Sequence, residues 1–174
     1  MRIVGGKYAG RHLTSPGKSV RPTSEGVRDR WLSLLEQELQ GCRVVDLFAG
    51  SGAVGLEALS RGARYVDFVE NGAGALHSLK ANVAALRVTK KCRVFKRDAI
   101  PFVQALDEGS YDVALADPPY GSKKLDRIIE RWSEVPFAPL LVVEHAKDHR
   151  LPMKGKSHDF GGDTRVTVLR AKGR

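Results

Sequence analysis

Short apolar runs alternate with helically spaced stripes along most of this chain. Residues 44–48, 65–69, 92–95, 111–116 and 140–143 each read as a buried strand. Between them, helices are expected over about 54–60, 73–86, 100–106 and 125–132. Two further strands, 157–160 and 165–169, flank the turn Gly161-Gly162-Asp163. Repeated strand–helix alternation with apolar strands predicts an α/β fold: a doubly wound, mostly parallel sheet of seven strands with helices on both faces.

The first forty residues follow a different pattern. Arg2-Ile3-Val4 and Arg11-His12-Leu13 are strand-like runs around a glycine-rich link, which predicts a hairpin with a mobile tip. Thr23 or Ser24 is placed to cap a helix whose stripe runs Val27, Trp31, Leu34, Leu35 and Leu39, ending at Gly41. Residues 1–40 are therefore expected as a hairpin-and-helix extension, and 41–174 as the sheet domain.

Composition narrows the class. In 174 residues, 42% are hydrophobic and 28% charged, which suits a well-packed core. No run approaches the roughly 18 apolar residues of a membrane span, and the N-terminus lacks a secretory apolar region. Cys42 and Cys92 make neither a disulfide framework nor a metal cluster, so a cytoplasmic protein without a metal is expected. The net charge of +9 is uneven. Residues 1–30 carry seven basic and two acidic side chains, residues 145–174 eight and three, and the middle fourteen and fifteen. Two basic ends around a neutral centre suit a polyanion such as nucleic acid. Arg2, Lys7, Arg11 and Arg21 are the expected phosphate contacts.

The centre carries a ligand signature. Gly50-Ser51-Gly52-Ala53-Val54-Gly55 follows the first sheet strand and opens a helix, and Glu70 lies twenty residues beyond Gly50. Glycines permit the sharp turn, and an acid at the end of strand two can take ribose hydroxyls. Asp46 ends strand one, where a carboxylate suits a cationic ligand better than a pyrophosphate; Asp98 follows strand three, where it can accept from an adenine amino group. An adenosine-containing ligand is expected, either a dinucleotide or S-adenosylmethionine.

Asp117-Pro118-Pro119-Tyr120 ends strand four. The prolines remove two N–H donors and leave carbonyl acceptors, Asp117 adds a carboxylate, and Tyr120 an aromatic face. Such a set can hold a planar amino group by both hydrogens and direct its lone pair at an electrophilic methyl group. The series Arg2-Ile3-Val4-Gly5-Gly6, Arg21-Pro22-Thr23-Ser24 with Arg28, Asp46 to Gly52, Asp117 to Tyr120, and Gly162-Asp163-Thr164-Arg165 spans nearly the whole chain. In this order it resembles the bacterial 16S ribosomal RNA guanine-N2 methyltransferase family, class I enzymes on a Rossmann-like methyltransferase sheet.

That resemblance implies methyl transfer from S-adenosylmethionine to N2 of one guanine in small-subunit rRNA, inside an assembling subunit and by a monomer. It implies a cofactor site of Asp46, Phe48, Gly50, Ser51, Gly52, Glu70, Asn71, Asp98 and Ala99, with Pro22 and Thr23 helping to close it. It implies Asp117, Pro118, Pro119 and Tyr120 at the reacting amine. The tetrapeptide is shared with DNA adenine-N6 methyltransferases, the alternative enzyme reading. A non-catalytic RNA-binding assembly factor on the same fold is the alternative without chemistry.

Overall fold

A computed structural model of the chain describes residues 1–15 and 24–172. Seven strands form one sheet: β1 Arg43–Leu47, β2 Tyr65–Glu70, β3 Cys92–Lys96, β4 Val113–Ala116, β5 Leu140–Ala146, β6 Lys156–Asp159 and β7 Thr164–Arg170. Their spatial order is β3-β2-β1-β4-β5-β7-β6. The first five run parallel, and the β6–β7 pair is antiparallel at one edge. The chain winds outward from β1 to β3 and then restarts at β4 on the other side of β1. The β1/β4 boundary is therefore the topological switch point, where ligands of such sheets bind beyond the strand C-termini.

Helices α1 Glu25–Ser33, α2 Ala53–Ser60, α3 Ala73–Ala85, α4 Ala99–Gln104 and α5 Lys124–Glu134 cover the sheet. In α5, Leu125, Ile128, Ile129 and Trp132 are all buried, the stripe that helical spacing demands. Trp132 donates its indole N–H to the Ala138 carbonyl at 2.7 Å. No described helix is long and apolar enough to cross a membrane.

The expected first helix is shorter than its stripe. Ser24 caps it, accepting from Val27 N–H, but α1 ends at Ser33 and the chain continues through turns to Gly41. Leu34 and Leu35 donate to carbonyls three residues back. Tighter turns of this kind superimpose positions i and i+3, so Leu32 and Leu35 are both buried while Leu34 is 41% exposed. Leu32, absent from the expected stripe, takes the place of Leu34.

The N-terminal segment shares the core of the sheet. Ile3, Leu13, Trp31, Leu32, Leu35 and Leu39 pack in one cluster with Val44, Leu56, Leu115 and Val142. Arg2 and His12 form a single antiparallel bridge, with flanking bonds Ile3 N–H to Arg11 O and Leu13 N–H to Met1 O, both 2.9 Å. The glycine link expected as a mobile tip is docked on the end of α2. Ser60 Oγ donates to the Gly5 carbonyl at 2.6 Å and accepts the Tyr8 N–H at 2.8 Å. Gly6 has φ +74, and a Cβ there would sit 2.0 Å from the Ser60 carbonyl oxygen. Close approach to α2, more than a turn, requires glycine here.

Candidate functional site

The glycine loop is built from both sides. Phe48, with φ 64, starts the turn out of β1, a conformation unusual for a side chain of its size. Ala49 N–H bonds the Val69 carbonyl at 3.0 Å, and Gly50 N–H bonds Glu70 Oε2 at 2.8 Å. Gly52 has φ +81, and a Cβ on it would meet Leu79 Cδ1 at 2.3 Å. The missing side chain at Gly52 therefore serves packing on α3, whereas the corresponding space at Gly50 is open. Beneath the loop, Asn82 of α3 donates to the Ser51 carbonyl at 2.9 Å and pairs with Thr14 through both main-chain groups. Asn82 was not legible as a site residue: it joins segments 31 and 68 positions away.

Asp46 lies under this loop, 2% exposed, accepting the Gly55 N–H at 2.9 Å. Burial pushes its carboxyl up to about 8 against that hydrogen bond, and the Asp117 and Glu70 carboxylates add to the rise. The acids at the ends of the two neighbouring strands thus act on Asp46. Glu70 also accepts from Asn71 N–H and Gly72 N–H, at 2.9 and 2.7 Å. Its carboxylate secures the loop as well as facing the cleft.

Phe48, Glu70, Asn71, Asp98 and Ala99 line one cleft, together with Val69, Arg97 and Lys124. Asp98 caps α4 through Ile100 N–H at 2.9 Å, and Asn71 Nδ2 approaches it at 3.4 Å. Lys124, at the start of α5, reaches Asp98 Oδ2 at 2.5 Å. This ammonium, with the Ile100 N–H, holds the Asp98 carboxyl below the usual range. The pair is substantially exposed and contributes little stability, so it can yield to a ligand at small cost. Five sequence-expected cofactor residues therefore meet in the cleft; Gly50 joins them through its bond to Glu70, while Asp46, Ser51 and Gly52 are buried in and under the glycine loop. The acceptors fit an adenosyl ligand with a cationic tail: buried Asp46, Glu70 on β2 and Asp98 on α4.

Asp117 follows β4 next to β1. Pro118 is buried, and Pro119 and Tyr120 are exposed. Pro119 O accepts the Ser122 N–H at 3.3 Å and closes a turn. The Tyr120 hydroxyl meets Glu144 Oε1 at 3.3 Å and Thr164 Oγ1 at 3.1 Å. Burial raises the Tyr120 hydroxyl pKa, opposed by the Thr164 bond and aided by the Glu144 and Asp117 charges. Thr164 falls in the Gly162–Arg165 motif, so two motifs distant in sequence touch here.

The basic arm is partly engaged within the chain. Arg2 pairs with Glu25 at 3.2 Å, Arg11 donates to the Ala85 carbonyl at 3.0 Å, and Lys7 lies over the Tyr8 ring. Arg28 is fully buried against Glu57. Arg21, Pro22 and Thr23 lie outside the described residues. Among the described residues, no cluster of three or more His, Cys, Asp or Glu side chains could hold a metal ion.

The chemistry of Asp46 gives a pH signature. Its folded pKa lies above its unfolded value, so its contribution to stability is present below about pH 4 and is lost as pH rises through about 8. A cationic ligand beside it would draw the proton off. Affinity for S-adenosylmethionine should therefore climb from pH 6 to 8, with proton release seen by calorimetry in buffers of different ionisation enthalpy. In Asp46→Asn both effects should vanish; a wild-type protein without proton release would separate Asp46 from the ligand.

Comparison with known proteins places this architecture. Residues 1–159 match the sequence model of the family described as Conserved hypothetical protein 95. YlbH of Bacillus subtilis is 34% identical over 158 residues, 87% of this chain and 86% of that protein. Ribosomal RNA small subunit methyltransferase D of Escherichia coli K12 is 31% identical over 156 residues, 87% and 78%. The solved structure of yhhF from Escherichia coli superposes with a TM-score of 0.85 at 28% identity, covering 100% of this chain and 99% of that one. The chain therefore belongs to the Conserved hypothetical protein 95 family, beside ribosomal RNA small subunit methyltransferase D, on a Rossmann-like methyltransferase fold.

Proposed function

We propose that this chain methylates the exocyclic N2 of a guanine in small-subunit ribosomal RNA, using S-adenosylmethionine. The carrying observation is Asp117-Pro118-Pro119-Tyr120 at the switch point, one strand from the acidic cleft. The name of the Escherichia coli relative, a ribosomal RNA small subunit methyltransferase, supports rRNA as the substrate class.

When bound, the cofactor supplies an electrophilic methyl group on a sulfonium. Glu70 and Asp98 would hold its ribose and adenine, and Asp46 would face its cationic tail. The Asp117 carboxylate and the Pro118 carbonyl accept the two hydrogens of the target amine, while the Pro119 carbonyl accepts the Ser122 N–H. Held this way, the nitrogen lone pair leaves conjugation and points toward the cofactor side. Orientation then does most of the work, and Asp117 takes the proton released as the product forms. Tyr120, its hydroxyl fixed by Glu144 and Thr164, presents its ring to the base. An unpaired loop base is the least costly to bring into such a pocket.

Labelled S-adenosylmethionine, ribosomal particles from cells lacking the enzyme, and mass-spectrometric mapping test this. N2-methylguanine in 16S rRNA is expected. N6-methyladenine in DNA would move the assignment to the DNA enzymes, and absence of transfer to any nucleic acid would favour an assembly factor. The arm is tested separately. Neutralising Arg2, Lys7 and Arg11 together should weaken RNA binding and flatten its salt dependence by up to about three in slope; an unchanged slope would remove the arm from the interface.

A further inference from the structure

We propose that Glu144 reads the target base. With Asp117 it forms a pair of acceptors that selects a base carrying a ring N–H beside its amino group, which is guanine and not adenine. This rests on the guanine-N2 reading above.

The placement follows from strand register. β4 and β5 pair in parallel with Ala114 opposite Leu141, Leu115 opposite Val142 and Ala116 opposite Val143. The next step along sets Asp117 beside Glu144. Side chains at matched positions of neighbouring strands share a face, and the strands lie about 4.8 Å apart. Leu115 and Val142, two residues earlier, both belong to the core cluster that includes Leu56 of α2, and Asp46, opposite Leu115, accepts from Gly55 of α2. Asp46, Asp117 and Glu144 therefore project on the same side of the sheet at its C-terminal edge.

The surroundings of Glu144 point to recognition. Its residue is 5% exposed, and its Oε1 meets the Tyr120 hydroxyl at 3.3 Å. A carboxylate out of water is stabilised by donors and disfavours another acceptor. The tetrapeptide that receives the amine thus has a second carboxylate on the adjacent strand, bonded to its own aromatic residue. Both carboxylates lie near enough to the Tyr120 phenol to act on it electrostatically.

Base chemistry supplies the complement. On its Watson–Crick edge guanine carries N1–H next to the N2 amino group, two adjacent donor positions. Adenine and cytosine carry an amino group next to an unprotonated ring nitrogen, an acceptor that would confront Glu144. With the amine on Asp117, Glu144 accepts N1–H from guanine and repels the other two. Sites built around a hydrogen bond reject analogues lacking it strongly, because buried polar groups are left opposed.

A guanine analogue isolates this contact. 2-Aminopurine keeps the 2-amino group but has an unprotonated N1. It is placed by ligation at the nucleotide mapped above, and single-turnover transfer to it is compared with transfer to guanine. Wild-type protein should prefer guanine at least about 100-fold. Glu144→Gln, whose amide can donate to N1, should narrow that preference to within about tenfold, while affinity for S-adenosylhomocysteine stays unchanged by calorimetry. A merely structural Glu144 would slow both substrates equally and leave the ratio intact, which overturns the proposal. Should Glu144→Gln fail to fold by circular dichroism, the wild-type ratio still decides: equal transfer to both bases refutes it. Failure of the function itself looks different, since the mapping experiment would then find no N2-methylguanine.

Discussion

Replacing Asp117 with Ala should lower methyl transfer by about 10³-fold or more, while affinity for S-adenosylhomocysteine changes less than about threefold. The reason is a division of labour visible in the strand ends. In the proposed reading Asp117, just past β4, receives the amine, whereas Glu70, the last residue of β2, and Asp98, two residues past β3, receive the adenosyl group. Asp117 acts on the cofactor side through charge, by raising the Asp46 carboxyl. Removing it eases a like-charge neighbour, so cofactor affinity has no reason to collapse. Asp117→Asn keeps an acceptor oxygen but cannot take the proton, and should fall between wild type and Ala. Single-turnover kinetics with calorimetry make the comparison. Near-normal turnover in Asp117→Ala would remove this residue from the reacting amine.

The largest stability effect is expected away from the cleft, at Glu57. Its carboxylate accepts from Val4 N–H at 2.9 Å, Gly5 N–H at 2.6 Å, Arg28 Nε at 3.3 Å and Arg61 Nε at 3.2 Å. Glu57 and Arg28 are fully buried and Arg61 nearly so; Arg61 also reaches Asp29 at 2.6 Å and Ser33 at 2.9 Å. One acid therefore joins the N-terminal strand, α1 and α2. Glu57→Gln would take the negative charge from buried Arg28 and leave Arg61 to Asp29, and breaking a buried pair costs about 3–5 kcal/mol. Against a typical stability of roughly 5–15 kcal/mol, that is a large share. Urea denaturation should show a lowered midpoint with little change in slope. A loss below about 1 kcal/mol would mean that hydrophobic packing of Ile3 and Leu13 holds the arm by itself.

The arm connects to chemistry through this hub. Thr14, bonded to Asn82 beneath the glycine loop, lies seven residues before Arg21, where the stretch expected over the cofactor starts. Glu57 anchors Val4 and Gly5, and Asn82 anchors Thr14, so the arm is held at both of its described ends. Gly5 and Gly6, carried here by the family resemblance as a motif, are thus explained by their packing against Arg61 and Ser60.

Most decisions that depended on nearest neighbours along the chain were legible in the sequence, the early end of α1 being an exception. Alternating apolar runs and stripes determine the strands and helices, because burial on both faces of a parallel sheet demands continuous apolar segments and 3.6-residue spacing. The turn after Phe48, the acid at the end of β2 and the acceptor tetrapeptide after β4 are each contained in a few consecutive residues. Their convergence followed from topology, since successive strand ends of a doubly wound sheet open on one edge. What sequence could not supply was the identity of partners brought together over long separations. Glu57 looks like any helix glutamate until Arg28, 29 residues earlier, is found against it. Lys124 reads as half of a solvated pair until the start of α5 sets it on Asp98. Glu144 is one polar letter in an apolar strand until β5 takes its place beside β4. A buried charge has meaning only through the groups that replace its water, and those groups are chosen by the tertiary fold.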